Sequence, residues 1–101
     1  MTTTAGAPAS RQQELIRRAE DLFPGGVNSP VRAFRSVGRP PVVLEAGAGA
    51  RVRDVDGRWY VDWIGAWGPA ILGHAHPAVV EAVRDAALNG FALGATSAAE
   101  V

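Results

Sequence analysis

The side chains best suited to chemistry are concentrated between Arg51 and Pro77. This stretch holds all three tryptophans, the only tyrosine, both histidines and three of the five aspartates in a chain of 101 residues. Asp54 and Asp56 are close enough in sequence to suggest a general acid and base, or a pair of metal ligands. Aspartates beside a turn more often accept hydrogen bonds from local backbone N–H groups, so we interpret both as turn residues.

Asp62 and the two histidines invite different interpretations. Asp62 follows Tyr60 in an apolar strand pattern, where an unpaired carboxylate would be costly to bury, so we expect a partner such as an arginine. His74 and His76 are separated by a single alanine. A metal site needs at least one further ligand, and none stands nearby in the sequence. The pair therefore predicts no metal centre.

Arg32 is the clearest candidate for binding an anion. It lies in a glycine-rich stretch, Gly25 to Phe34, whose glycines let the backbone approach a ligand closely. Its planar guanidinium group suits a carboxylate or a phosphate. Most arginines near a turn are solvated or paired with a surface acid, so these residues alone make the ligand role the weaker interpretation.

Two helices are expected on either side of the aspartates. Ser10 and Gln13 form the pattern of a capping box, and the apolar residues after them repeat at helical spacing as far as Pro24. A second helix should open at Pro77 and stop at Asn89-Gly90. Thr96 or Ser97 could cap a further helix with Glu100 near its start, and the abrupt end at Val101 suggests a fragment.

Short strands should lie between these helices. Residues 42–44 predict one strand, and Gly47-Ala48-Gly49 should separate it from a hairpin that turns at Asp56-Gly57. The following residues alternate around that turn with the period of two expected of half-buried strands: Val52, Asp54, Trp59, Val61 and Trp63. Gly47 and Gly49 are not followed by a helix, so they do not form a dinucleotide-binding motif.

Trp67 is expected on an irregular loop. Gly65, Gly68, Pro69 and Gly73 interrupt the apolar run too often for a helix or a central strand. A large aromatic side chain on a loop beside a sheet is a common way to line a pocket.

Composition limits the chemistry that this chain can complete. It contains no cysteine, and its ten basic side chains, all arginine, balance ten acidic ones. Balanced charge predicts neither nucleic acid nor an anionic membrane surface as a partner. The absence of lysine excludes a Schiff base or a lysine–phosphate contact made by these residues. We expect a disordered tail over residues 1–9 and one incomplete segment over 10–101 with a marginal core. We also expect no membrane helix and a cytoplasmic location.

Three stretches of the sequence carry a resemblance to a known family. They are LFPGGVNSPVRAF from Leu22, DVDG with YVD from Asp54, and WGP with LGHAHP from Trp67. The last two resemble the class III pyridoxal-phosphate aminotransferases in general. The first is similar to the start of one branch, the glutamate-1-semialdehyde aminomutases.

The resemblance implies a fold and a set of roles. It implies the N-terminal part of an α/β protein of pyridoxal-phosphate fold type I, built as a helix, a short antiparallel β-meander, a glycine-rich loop and a helix. The complete enzyme would be a homodimer that uses pyridoxal phosphate and converts a small amino-aldehyde to 5-aminolevulinate. Ser29, Val31 and Arg32 match a segment over the substrate, with Arg32 as carboxylate partner, and Trp67 matches a pocket aromatic. No catalytic residue is implied here, because the Schiff-base lysine lies in later parts of such proteins.

Three hypotheses remain open from the sequence. The chain is part of an aminomutase, part of another class III aminotransferase that exchanges amino groups between two substrates, or a non-catalytic binding module derived from such an enzyme. The match from Asn28 to Phe34 argues against the second. The missing lysine favours the third for this chain taken alone, whereas the abrupt end favours part of an enzyme.

Overall fold

A computed structural model describes residues 9–101, and the expected tail falls almost entirely outside that range. Helix α1 spans Arg11–Leu22, strands β1, β2 and β3 span Leu44–Ala48, Arg51–Asp54 and Trp59–Val61, and helix α2 spans Pro77–Ala87. Short 3-10 turns occupy Pro24–Gly26, Pro30–Ala33, Arg35–Val37, Gly65–Trp67 and Ala98–Glu100.

The predicted starts of both helices are confirmed. The Ser10 hydroxyl accepts from the backbone N–H of Gln13 at 3.3 Å, and the Gln13 side chain accepts from the Ser10 N–H at 3.0 Å. Pro77 occupies the first turn of α2, where its missing N–H costs no hydrogen bond. Ser97 precedes the last 3-10 turn, and its hydroxyl donates to Glu100 Oε1 at 3.1 Å.

The three strands form an antiparallel meander in the order β1-β2-β3, as predicted. The predicted bounds of β1 were wrong. The strand begins at Leu44 and continues through Gly47 to Ala48, because the glycines pair in register with β2 rather than separating it from the hairpin. The end of β3 was also misplaced, since the strand stops at Val61 and Trp63 lies beyond it, 91% exposed.

A bulge in β1 helps to fix α1 against the sheet. The register shifts between Leu44 and Ala46, which leaves Glu45 without a strand partner. The Glu45 carboxylate contacts Arg53 at 3.0 Å and Arg11 of α1 at 3.3 Å. Two further hydrogen bonds join the start of α1 to the sheet region, from Gln12 N to Asp56 Oδ1 and from Val43 N to Gln12 Oε1.

Very little of the described chain is buried. Within residues 9–101, Val55 is the only buried hydrophobic side chain and Asp54 the only buried polar one. Large apolar side chains, Trp67 and Ile71 among them, lie on the surface. The segment therefore lacks a core of its own, and such surfaces are usually covered by further protein. Within the same residues, no helix has the length and apolar composition needed to cross a membrane.

Candidate functional site

A cavity of about 480 Å³ lies between the sheet, the turn that carries Arg32 and the loop that carries Trp67. Val31, Arg32 and Trp67, three of the four residues predicted to face substrate, line it together. The remaining lining residues are Phe34, Val42, Leu44, Val52, Asp62, Ile64, Ala66 and His74. The sequence suggested the turn of Arg32 and the loop of Trp67 separately. Only the fold brings Arg32 and Trp67, which are 35 positions apart, into one pocket.

Ser29, the fourth predicted residue, faces a neighbouring cavity with Asn28 and Arg35. It still acts on the site through the backbone. Ser29 is the extended residue before the 3-10 turn Pro30–Ala33, and its carbonyl accepts from the Arg32 N–H at 3.0 Å. Ser29 therefore sets the start of the turn that presents Arg32.

The Arg32 guanidinium group retains free capacity for an anion. Its Nη1 donates to Asn28 Oδ1 at 3.2 Å. Among residues 9–101, no carboxylate lies within 4.0 Å of it. An arginine carries five N–H donors in a planar fork, so a ligand carboxylate could still be bound through two parallel hydrogen bonds.

Strained backbone surrounds this cavity. Phe34, Ala66 and Trp67 adopt left-handed conformations with φ of 54°, 53° and 65°. Each such residue costs on the order of 1–3 kcal/mol and persists only where its surroundings hold it. All three line the same cavity, whereas Ala75, the remaining non-glycine residue with positive φ in the described part of the chain, does not. Three of these four residues thus lie at the candidate site.

Asp62 and His74, which border the cavity, were only partly anticipated. The expected arginine partner for Asp62 was wrong, because Oδ2 lies 2.6 Å from His74 Nε2. His74 comes within reach because its backbone pairs with Gly49, a contact that the sequence pattern does not reveal. This hydrogen bond, and then the N–H of Ile64, hold the pKa of Asp62 below its ordinary value. The carboxylate is thus ionised at neutral pH, and Nε2 must carry the hydrogen.

Asp54 lies away from the cavity, at the hairpin turn. Its Oδ1 accepts from the backbone N–H groups of Asp56 at 3.1 Å and Arg58 at 2.8 Å, and its Oδ2 accepts from the Tyr60 hydroxyl at 2.6 Å. The interpretation as a turn residue is confirmed for Asp54. Asp56 instead accepts from the N–H of Gln12, so its bond links the turn to α1.

His76 takes no part in the cavity. Its Nδ1 is buried without a hydrogen-bond partner in the described part of the chain. Across residues 9–101, no three histidine, cysteine, aspartate or glutamate side chains gather as metal ligands.

The residues of this chain cannot form a Schiff base with pyridoxal phosphate. A Schiff base needs a lysine, and the chain has none. The cavity instead combines one arginine with walls that are mostly apolar and aromatic, and its other polar lining residues, Asp62 and His74, are hydrogen-bonded to each other. This lining suits the carboxylate and the carbon chain of a small substrate.

The sequence matches the family model for class III aminotransferases over residues 33–98. Glutamate-1-semialdehyde 2,1-aminomutase of Dechloromonas aromatica is 56% identical over 92 residues, which cover 91% of this chain and 22% of that protein. The chain thus spans about a fifth of the length of the curated relatives it matches.

Solved structures show the same relationship. A transaminase with PLP bound superposes with a TM-score of 0.73 at 37% identity, over 91% of this chain and 22% of that one. A glutamate-1-semialdehyde aminomutase from Pseudomonas aeruginosa PAO1 gives a TM-score of 0.68 at 31% identity, over 86% of this chain and 19% of that one. The fold is therefore the N-terminal part of the α/β fold of pyridoxal-phosphate aminotransferases. The chain belongs to the class III aminotransferase family.

Proposed function

We propose that this chain is part of a glutamate-1-semialdehyde 2,1-aminomutase, which isomerises glutamate-1-semialdehyde to 5-aminolevulinate in tetrapyrrole biosynthesis. The observation that carries the proposal is the cavity in which Arg32, Val31 and Trp67 meet. The name shared by the curated relatives at 53–58% identity supports the choice of substrate.

In this proposal the chain supplies the wall that faces the substrate. Arg32 binds the substrate carboxylate through its free N–H groups, and the Trp67 ring covers the carbon chain beside it. Val31 narrows the cavity, and Ser29 fixes the turn that carries Arg32. Pyridoxal phosphate, held by residues outside this chain, supplies the electron sink for moving the amino group.

The proposal includes the setting of the complete enzyme. We expect a cytoplasmic homodimer that acts on a small molecule and binds neither nucleic acid nor a membrane. The balanced charge of the chain supports the last two points, since the chain has no excess of positive charge that would attract nucleic acid or an anionic membrane. The exposed apolar side chains around Trp63 and Ile71 are consistent with packing against further protein.

One specific observation favours a second candidate, a class III aminotransferase that exchanges amino groups between two substrates. The solved transaminase has a higher TM-score, 0.73 against 0.68, and a higher identity, 37% against 31%, than the solved aminomutase. The two candidates differ in whether the amino group leaves the substrate molecule, which product analysis can decide.

A chimaera tests the proposal directly. This chain would replace the matching 92-residue segment of the Dechloromonas aromatica aminomutase. We expect the chimaera to form 5-aminolevulinate from glutamate-1-semialdehyde without a second amino donor or acceptor. A folded chimaera that leaves this substrate unchanged, or that reacts only when a second amino acceptor is added, would contradict the aminomutase assignment.

Arg32→Lys in this chimaera tests the carboxylate contact. Lysine keeps the charge but cannot make two parallel hydrogen bonds, so kcat/KM should fall about tenfold, the equivalent of about 1.4 kcal/mol. The loss should lie mainly in KM if the contact is equally strong in the ground and transition states.

The matched control is Arg35→Lys, three residues further on and outside this cavity, which should leave kcat/KM close to that of the parent. Cofactor absorbance should be the same in both variants. Equal losses at the two positions, or loss of cofactor in the Arg32 variant, would show that Arg32 has a structural role instead.

A further inference from the structure

The loop from Asp62 to His74 is fixed at both of its ends. At the start, Asp62 Oδ1 accepts from the backbone N–H groups of Ile64 at 2.8 Å and Gly65 at 3.1 Å. At the end, His74 exchanges two backbone hydrogen bonds with Gly49, at 2.8 and 2.9 Å. The loop between these anchors carries Trp67, which lines the cavity.

The His74 ring joins the two anchored ends. Its Nε2 lies 2.6 Å from Asp62 Oδ2, across twelve residues of sequence. Both side chains are largely shielded, with His74 25% and Asp62 11% exposed, so water competes weakly for this hydrogen bond. The ring also fills the space above Gly47, where an added Cβ would come within 2.6 Å of His74 Cγ.

Trp67 depends on this support because of its backbone. Ala66 and Trp67 are both left-handed, and neither has the freedom of glycine. The two N–H groups that Asp62 holds belong to Ile64 and Gly65, directly before these residues. Fixing that point limits the orientations that the strained turn, and thus the indole ring, can adopt.

We propose that Asp62 and His74 form a positioning pair that holds the Gly65–Trp67 turn and so fixes the Trp67 ring beside Arg32. This inference rests on the proposed function in taking the cavity as the substrate site. The pair acts through Trp67 and contributes no atom to the reaction. The Asp62–His74 hydrogen bond is its essential part, and the packing of the ring on Gly47 is secondary.

Two substitutions of His74 in the chimaera separate the hydrogen bond from the packing. His74→Gln keeps a side-chain N–H donor near the position of Nε2 but removes the ring, whereas His74→Phe keeps a ring over Gly47 but removes the donor. We expect His74→Phe to raise KM about tenfold, as for a lost charge-assisted hydrogen bond, and His74→Gln to stay within about threefold. Larger damage from His74→Gln would overturn the proposal in favour of a packing role.

A cycle with Trp67→Ala tests whether the pair acts through the indole ring. If it does, His74→Phe should add little to the KM of the Trp67→Ala chimaera, because the effects of substitutions at two residues that act through one another are not additive. Fully additive losses in the double variant would contradict the inference.

Amide hydrogen exchange across residues 62–74 provides a readout that needs no substrate. Exchange should accelerate in His74→Phe and remain near the parent rate in His74→Gln. This measurement separates the two proposals. An inactive chimaera with the expected exchange pattern would refute the aminomutase assignment alone, whereas an active chimaera with unchanged exchange in His74→Phe would refute the positioning pair alone.

Discussion

Asp54 and Asp62 are held by nearly the same set of hydrogen bonds at two different places. In each, Oδ1 accepts from two backbone N–H groups, and Oδ2 accepts one hydrogen bond of 2.6 Å from a side chain. Each carboxylate therefore organises the backbone directly after it. The side-chain donor is the Tyr60 hydroxyl for Asp54 and the imidazole of His74 for Asp62.

The two sites differ in burial and in how far they reach. Asp54 is fully buried, and all three of its hydrogen-bond donors lie within six residues of it, so it stabilises a local turn. Asp62 is partly exposed, reaches twelve residues along the chain, and borders the cavity with Arg32 and Trp67. The same arrangement thus serves the hairpin in one place and the candidate site in the other.

The largest expected effect is a loss of thermal stability when the Asp54 side chain is truncated to alanine, and the same truncation of Asp62 provides the comparison. Asp54→Ala would leave two backbone N–H groups and the Tyr60 hydroxyl without their acceptor in a buried position, which is the costly way to lose a hydrogen bond. We expect the melting temperature of the chimaera to fall about twice as far in Asp54→Ala as in Asp62→Ala. Asp62→Ala should instead produce the larger rise in KM. A larger melting loss in Asp62→Ala would reverse the assignment of roles.

Gly47→Ala should cause an intermediate loss of stability, and this loss should come from the region of Asp62 and His74. The new methyl group would overlap the His74 ring, and overpacking of this kind costs about 1–3 kcal/mol. Urea unfolding of the chimaera measures the loss. In a His74→Ala background the same substitution should cost less, because the obstructing ring is gone. An equal cost in both backgrounds would place the strain elsewhere.

The smallest expected effect is a dependence of folding stability on pH, which arises from the hydrogen bond between Asp54 and Tyr60. The hydrogen bond from Tyr60 lowers the pKa of Asp54, and the same bond to Asp54 raises the pKa of Tyr60. A lowered carboxyl pKa gives stability that is present above about pH 4 and lost as the pH falls through the folded-state value. A raised tyrosine pKa gives stability that is present below about pH 10 and lost as the pH rises through its folded-state value.

Tyr60→Phe provides the control for this dependence. The stability difference between parent and Tyr60→Phe chimaera, measured by urea unfolding, should be constant near neutral pH and shrink at both extremes. A difference that does not change with pH would show that the aromatic ring, rather than the hydroxyl, accounts for the contribution of Tyr60.

The outcomes for individual elements show which signals the sequence carries. The capping box of Ser10 and Gln13 and the helix start at Pro77 were predictable, because these motifs involve residues within one turn of each other. The meander and its turn at Asp56-Gly57 follow from short-range alternation. The course of β1 through Gly47 could not be predicted from the sequence. Glycine is rare inside strands, and here its missing side chain leaves room for the His74 ring, a contact that the sequence does not show.

The sequence by itself determined where the chemistry lies and what this chain cannot do. It located Arg32 in a glycine-rich turn and Trp67 on a loop, and the absence of lysine excluded a Schiff base within the chain. These conclusions depend only on residue type and on neighbours along the chain.

Only the tertiary structure decided that Arg32 and Trp67 share a cavity, that Ser29 faces another, and that Asp62 takes His74 as its partner. Each of these facts depends on a contact between segments distant in sequence, such as the pairing of Gly49 with His74. No local pattern encodes such a contact, because its geometry is set by the register of the sheet and by the space that Gly47 leaves open for the imidazole ring.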